Sequence, residues 1–385
     1  MNMKPAMFVH RCSILGLLSR SGQRRGPGIE RREAGFEKVR RQRISQDDGS
    51  GIIQTDRKES KVRKTTLRIG ILGLALLAVL MLAPSFSAAG DYPSKPLTYI
   101  VCFNPGGESD ITARIQEQPL KKAFGQEVVI AYKIGGGGSV GWSELVQSKP
   151  DGYTIAGDNL PHIILQPLER GNAGYKTLDL KQVYIFESTP NLLVVRKDSK
   201  YQTLKDLIED ARKNPGVLTV GGSGSSTAND LGTAMLNKVA GIKLTYIPFP
   251  GTGAAVPALL GGHVTALMTF STMGVQYKGK FRALAIASEE RMDVLPDVPT
   301  FKELGYDVVE GAYRGVVAPP DTPGNVVKYL ADTFEKVMKD PTVKKRMDEN
   351  GFKTEFMGPE AATALVKKKM AEYEILMTEL GRIKK

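Results

Sequence analysis

Short apolar runs and amphipathic stretches alternate along most of this chain. The runs over residues 97–103, 128–132, 154–157, 192–195, 219–220, 244–247, 266–268 and 283–287 have the length and composition of strands. Between them, residues 111–123, 139–148, 204–213, 230–240 and 254–260 carry apolar positions at helical spacing, with Pro119 bending the first. The C-terminal part is helix-rich, over 325–338, 342–350 and 359–380. This alternation predicts an α/β protein of mostly parallel sheets flanked by helices. The 296 residues after position 89 suffice for two lobes. Crossings are expected near 192–196 and 309–317. Lobe one is then 90–193 with 312–385, and lobe two is 194–311.

The first 89 residues follow a different pattern. Residues 1–66 mix Arg-rich stretches such as Arg40-Arg41-Gln42-Arg43 with Gly and Ser, show no sustained apolar period, and read as a disordered basic leader. Residues 67–89 join a basic start to an apolar run from Ile69 to Leu82 and end in Ser87-Ala88-Ala89. That is the pattern of an export signal, with cleavage expected after Ala89. The alternative, a membrane anchor, needs about 20 apolar residues, and this run is shorter. A long leader ahead of a signal also suggests translation starting later, for example at Val62. Of the 53 Lys and Arg, 17 lie in residues 1–89, with 7 of the 41 Asp and Glu. The remainder is nearly balanced, at 36 against 34, so the overall net charge of +12 is no argument for nucleic-acid binding. Cys12 falls in the leader, which leaves Cys102 in a strand pattern as an unpaired, buried thiol.

Candidate chemistry concentrates in glycine turns between a strand and a helix. The first, Asn104-Pro105-Gly106-Gly107-Glu108-Ser109-Asp110, follows the run ending at Phe103, and Ser109 or Asp110 is placed to cap a helix starting near Ile111. The second, Gly221 to Thr227, offers the hydroxyls of Ser223, Ser225, Ser226 and Thr227. The third contains Gly251, Thr252 and Gly253. Such turns leave backbone N–H groups unpaired at a helix N-terminus, where the dipole favours an anion. The first lies in lobe one and the others in lobe two, so all three can converge on one small anion. A plain connection is the alternative for any single turn; the repetition favours binding.

Other signals are weaker. Gly136-Gly137-Gly138-Ser139-Val140-Gly141 fits G-x-G-x-x-G, with Asp158 a loose acidic partner, so dinucleotide binding stays an alternative to a packed turn. His162 follows Asn159-Leu160-Pro161 and can reach the cleft, whereas His263 reads as a surface turn residue. No HExxH or CxxC motif occurs, and no enzyme activity, cofactor or metal is expected.

These residues resemble the periplasmic solute-binding proteins of tripartite tricarboxylate transporters, the TctC or Bug family. The matching pieces include Phe103-Asn104-Pro105-Gly106-Gly107 with Asp110 and Ala113-Arg114, the Gly135 to Gly138 run with Gly141, and Pro150-Asp151-Gly152-Tyr153. Leu259-Leu260-Gly261-Gly262, Leu295-Pro296-Asp297-Val298-Pro299 and Ala318-Pro319 follow in order. The resemblance implies a two-lobed periplasmic binding fold of type II character, closing on a small carboxylate and delivering it, as a monomer, to membrane transporter subunits. It implies that the first two turns hold a ligand carboxylate, with Gly251 to Gly253 beside them. A sensor partner of a membrane receptor would share this fold. Cys102, Tyr132, Ile134 and Asp230 depart from the usual residues, and Glu108 puts a carboxylate where small residues are usual. Facing the cleft, Glu108 would favour a ligand with a cationic group or hydroxyls over a bare polycarboxylate. Capping the helix, it would say nothing about the ligand.

Overall fold

The structure is a computed structural model describing residues 92–383. The leader (1–66), the export segment with its cleavage point after Ala89, Val62 and Cys12 lie outside the described residues.

Two sheets share one long strand. In the first, β1 (Leu97–Val101) pairs in parallel with β2 (Val128–Tyr132) and with β3 (Thr154–Leu160). Beyond β3 come β9 (Gly311–Ala318) and the first half of β4 (Lys181–Arg196), both antiparallel to their neighbours, with β10 (Lys353–Met357) on the edge of β4. In the second sheet, β5 (Thr219–Ser223) pairs in parallel with β6 (Thr245–Phe249) and β7 (Ala266–Phe270). The second half of β4 then runs antiparallel to β7 and β8 (Phe281–Ile286). Mostly parallel sheets were expected; the sheets are mixed, and every antiparallel pairing involves β4 or β9. Those strands connect the two sheets directly, without a crossover helix to restore their direction.

Each half of the chain covers its sheet on both faces. Leu97, Tyr99 and Val101 pack under α1 (Glu108–Phe124), α8 (Gly324–Met338) and α9 (Pro341–Glu349), while Ile100 and Cys102 point the opposite way. That opposite face packs against α2 (Ser139–Gln147), α3 (His162–Arg170) and α10 (Pro359–Glu379). Such period-two alternation is the signature of a strand buried on both sides. In the second sheet, Leu193 and Val195 face α4 (Leu204–Lys213) and α5 (Ala228–Ala240), and Leu192 and Val194 face α6 (Thr252–Leu260). A short helix, α7 (Ser271–Gln276), follows β7.

β4 changes sheet at Pro190, which has no N–H to give to a ladder. Next to it the Asn191 N–H donates to the Glu310 carbonyl, the Ala287 N–H to the Asn191 carbonyl and the Glu310 N–H to the Ala287 carbonyl. An added Cβ on Gly311 would stand 2.7 Å from Pro190 Cα, so glycine is what lets the two crossing strands touch.

Several elements differ from the sequence expectation. The first helix starts at Glu108, not near Ile111, and its N-cap is Gly107 without a side-chain cap; Ser109 and Asp110 lie inside the first turn. The Asp110 carboxylate instead accepts from the Gly106 N–H at 2.9 Å, closing the turn from within the helix. β4 begins eleven residues before the apolar run at 192, because Glu187, Ser188 and Thr189 interrupt the apolar pattern that marks a strand. β10 is half exposed and lacks such a pattern.

Burial pushes Asp158 on β3 up to about 7, and likewise Glu310 at the crossing. Both titrate near 4 in an unfolded chain. The folded state therefore holds more protons between about pH 4 and 7, and stability falls as pH rises through that window. The Asp158→Asn variant is expected to differ least from wild type in thermal midpoint at pH 4 and to exceed it at pH 8. An equal difference at both pH values would contradict this linkage.

Candidate functional site

The first turn gains its position by docking on the third. An added Cβ on Gly107 would lie 2.9 Å from Thr252 Oγ1, and one on Gly253 would lie 2.5 Å from the Pro105 carbonyl. Asn104 fills the space beside Gly251, where any side chain would collide with its amide. The N-termini of α1 and α6 thus meet, with Glu108 and Thr252 as their first helical residues.

Beside this junction lies a small cavity, partly open to solvent. Phe103, Gly107, Glu108 and Ser109 form one side, and Asn159, His162 and Arg314 a second. Ser223, Thr252 and Phe270 from the second sheet complete it. Six of the expected site residues meet here: Gly107, Glu108, Ser109, His162, Ser223 and Thr252. His162 heads α3; its ring meets that of Phe103 edge-on at 5.4 Å, and burial with the nearby Arg314 charge holds it well below its usual pKa, hence neutral.

Glu108 faces this cavity and is 3 % exposed. Its carboxylate accepts from Thr252 Oγ1 at 2.5 Å and from Thr272 Oγ1 at 3.0 Å, and Arg314 Nη2 stands 4.0 Å away. Arg314 also lies 3.6 Å from Glu187, donates to the Thr189 hydroxyl and covers the Phe270 ring at 4.7 Å. Glu187 accepts from Thr112 at 3.0 Å, and burial pushes it up to about 8. Three ionisable groups are thus withdrawn from water together, with one cation between two carboxyls.

The other expected site residues are engaged elsewhere. Asn104, Pro105, Gly106, Gly251 and Gly253 form the junction between the turns, and Asp110 braces the first turn with Tyr132 and Arg114. The Ser225 and Ser226 carbonyls accept from Gln166 Nε2 at 2.6 and 3.0 Å. The Ser226 hydroxyl donates to Glu169, and Thr227 is the N-cap of α5. The Gly135–Gly138 run packs against the same turn: a Cβ on Gly137 would stand 2.7 Å from the Ser225 carbonyl and collide with Gln166. With protein in that space and Asp158 buried, this turn does not present a pyrophosphate site.

Reading the sequence missed Arg314, Asn159, Phe270, Thr272 and Glu187. Arg314 carried a signal, a lone charge within the apolar run 312–318. Thr272 carried none.

Two mixed sheets joined by two crossing strands, with a polar cavity where their turns meet, define the class of periplasmic binding proteins. The chain belongs to the tripartite tricarboxylate transporter family receptor (TctC) family, whose model matches residues 112–382. It is 32 % identical over 340 residues to the UPF0065 protein in the TAR-I ttuE-ttuC' intergenic region of Agrobacterium vitis, covering 86 % of this chain and 96 % of that one. Among solved structures, the periplasmic binding protein BugD is 30 % identical with a TM-score of 0.73, covering 76 % of this chain and all of that one. MatC from Rhodopseudomonas palustris with bound malate is 27 % identical with a TM-score of 0.71, covering 74 % of this chain and 99 % of that one. Members of this family are transport receptors, not enzymes.

A second ionic group joins the two halves of the chain. Arg382, after α10, donates to Glu169 on α3 at 2.9 Å and to Asp230 on α5 at 2.6 Å. Truncation leaves two carboxylates facing each other with little solvent. Arg382→Ala is expected to cost about 2 kcal/mol in urea unfolding and to speed amide hydrogen exchange in Gly224 to Thr227. Unchanged exchange there would show that the contact does not hold the turn.

Proposed function

We propose that this chain is an extracytoplasmic receptor that captures a small organic carboxylate in the cavity beside Glu108 and delivers it to a tripartite-type membrane transporter. The observation that carries the reading is the junction of α1 and α6, two helix N-termini from different sheets meeting at one polar cavity. The unpaired leading N–H groups of such helices favour an anion. MatC, which shares this fold, holds bound malate, and that supports a carboxylate as the class.

In this proposal, residues 90–193 with 312–385 act as one lobe and 194–311 as the other. The crossings at Pro190–Asn191 and Glu310–Gly311 serve as hinges. Only two strands cross there, so rotation about them would leave the pairing within each sheet in place. Gly107, Ser109, His162, Ser223 and Thr252 line the ligand, and Asn104 to Gly106, Asp110, Ser225 to Thr227, Gly251 and Gly253 hold the turns that present them. Residues 67–89 direct export, with cleavage after Ala89, and the receptor acts as a monomer. Closure changes the surface offered to the transporter, which is how ligand occupancy would be read.

Thermal unfolding against mono-, di- and tricarboxylates, amino acids and nucleotides tests this. At a hundred times its dissociation constant a ligand adds about 2.7 kcal/mol, a rise of several degrees for a protein of this size. A rise with a carboxylate is the expected result; a rise with nucleotides alone would overturn the reading.

A further inference from the structure

Glu108 occupies the position where a ligand anion would be received. Its carboxylate accepts hydrogen bonds from the hydroxyls of Thr252, the first residue of α6, and of Thr272, and it sits beside the guanidinium of Arg314. Two hydroxyl donors and a cation, all buried, are what a protein offers a bound carboxylate. Here the protein supplies the carboxylate as well.

The rest of the wall carries the complementary chemistry. Asn159 and His162 both line the cavity, and Asn159 Oδ1 and His162 Nδ1 are buried without a protein partner. Asn159 Nδ2 is already committed to the Ser109 hydroxyl at 2.9 Å, so the oxygen is the free end of that amide. Glu108 and Asn159 Oδ1 are acceptors on this wall, and His162 Nδ1 accepts or donates according to its tautomer. Arg314 Nε, also buried without a partner, and the leading N–H groups of α1 are the donors that remain. One anionic group can be received there. A second would meet the Glu108 carboxylate and the Asn159 oxygen.

We propose that Glu108 is a resident carboxylate that replaces one carboxylate of the ligand. The site then takes a small monocarboxylate with hydrogen-bond donors, hydroxyl or ammonium, at its other end, and excludes dicarboxylates and tricarboxylates. This rests on the cavity being the solute site described above, and it narrows the solute class.

Calorimetric titration of the purified protein with matched acids of three to six carbons tests it. In the four-carbon set these are succinate, 4-hydroxybutyrate and 4-aminobutyrate. Wild type is expected to bind a hydroxy or amino monocarboxylate at least tenfold more tightly than the dicarboxylate of equal length. Glu108→Gly, which empties the position, is expected to shift that ratio at least tenfold toward the dicarboxylate. Glu108→Gln fills the space without the charge, and is expected to weaken the amino acid more than the hydroxy acid; it serves also if the glycine variant does not fold. Wild type binding a dicarboxylate as tightly as its monocarboxylate partners, with neither variant altering the ratio, would overturn the proposal and leave the carboxylate receptor standing. Wild type binding no carboxylate of any charge would overturn both.

Discussion

The structure turns on Arg314, held in a buried site between Glu108 and Glu187. Withdrawing three ionisable groups from water costs several kcal/mol for each ion, and only close, well-directed partners offset it. Those partners come from far apart in sequence: Thr112 on α1, Thr189 on β4, Thr252 on α6, Thr272 on α7 and the face of Phe270. Arg314 itself is on β9, the strand that returns from the second sheet to the first. The cluster therefore fixes how the crossing strands, the first turn and the third turn sit together. Burial raises Glu187 to about 8 against the opposing pull of Arg314, so that carboxyl holds a proton more readily than an exposed one.

The three turns, alike in sequence, do different things. The first and third touch through glycines that admit no Cβ and build one wall of the cavity. The second gives only Ser223 to the cavity; Ser225 to Thr227 face Gln166, Glu169 and the start of α5. A Ser-rich loop has two uses for its hydroxyls, a ligand or its own backbone and neighbours, and composition does not say which. Contact with the Gly135–Gly138 run decides it here. That run needs positive φ throughout and has Gln166 and the Ser225 carbonyl pressed against it.

Much of the fold was legible because strand and helix periods are written in apolar positions. Residues 97–102 and 192–195 alternate between two cores, as a strand buried on both faces does. The first half of β4 was not legible, since Glu187 and Thr189 look like surface residues until their partners are known. Strand direction was hidden as well: a parallel and an antiparallel strand share the same apolar pattern, and only the connections distinguish them. At the site, the turns were found from glycine and proline, but Arg314 and Thr272 were not, because a residue's reach across the fold leaves no trace in its local sequence.

Glu108 was visible as an anomaly with two readings, a helix cap or a cleft residue. It is the first residue of α1 and also lines the cavity. As the first helical residue it gains from the α1 dipole. That gain would be available to an exposed carboxylate too, so it does not account for burial to 3 % with two hydroxyl donors and an arginine. Capping alone would leave Thr252 and Thr272 without a reason to converge on it. Their convergence from the second sheet means Glu108 also bridges the two halves of the chain. The energy that draws the halves together can come partly from within the protein, with less required of the ligand. A receptor built this way can close on a solute carrying a single charge, because the second anion of the closed site never leaves.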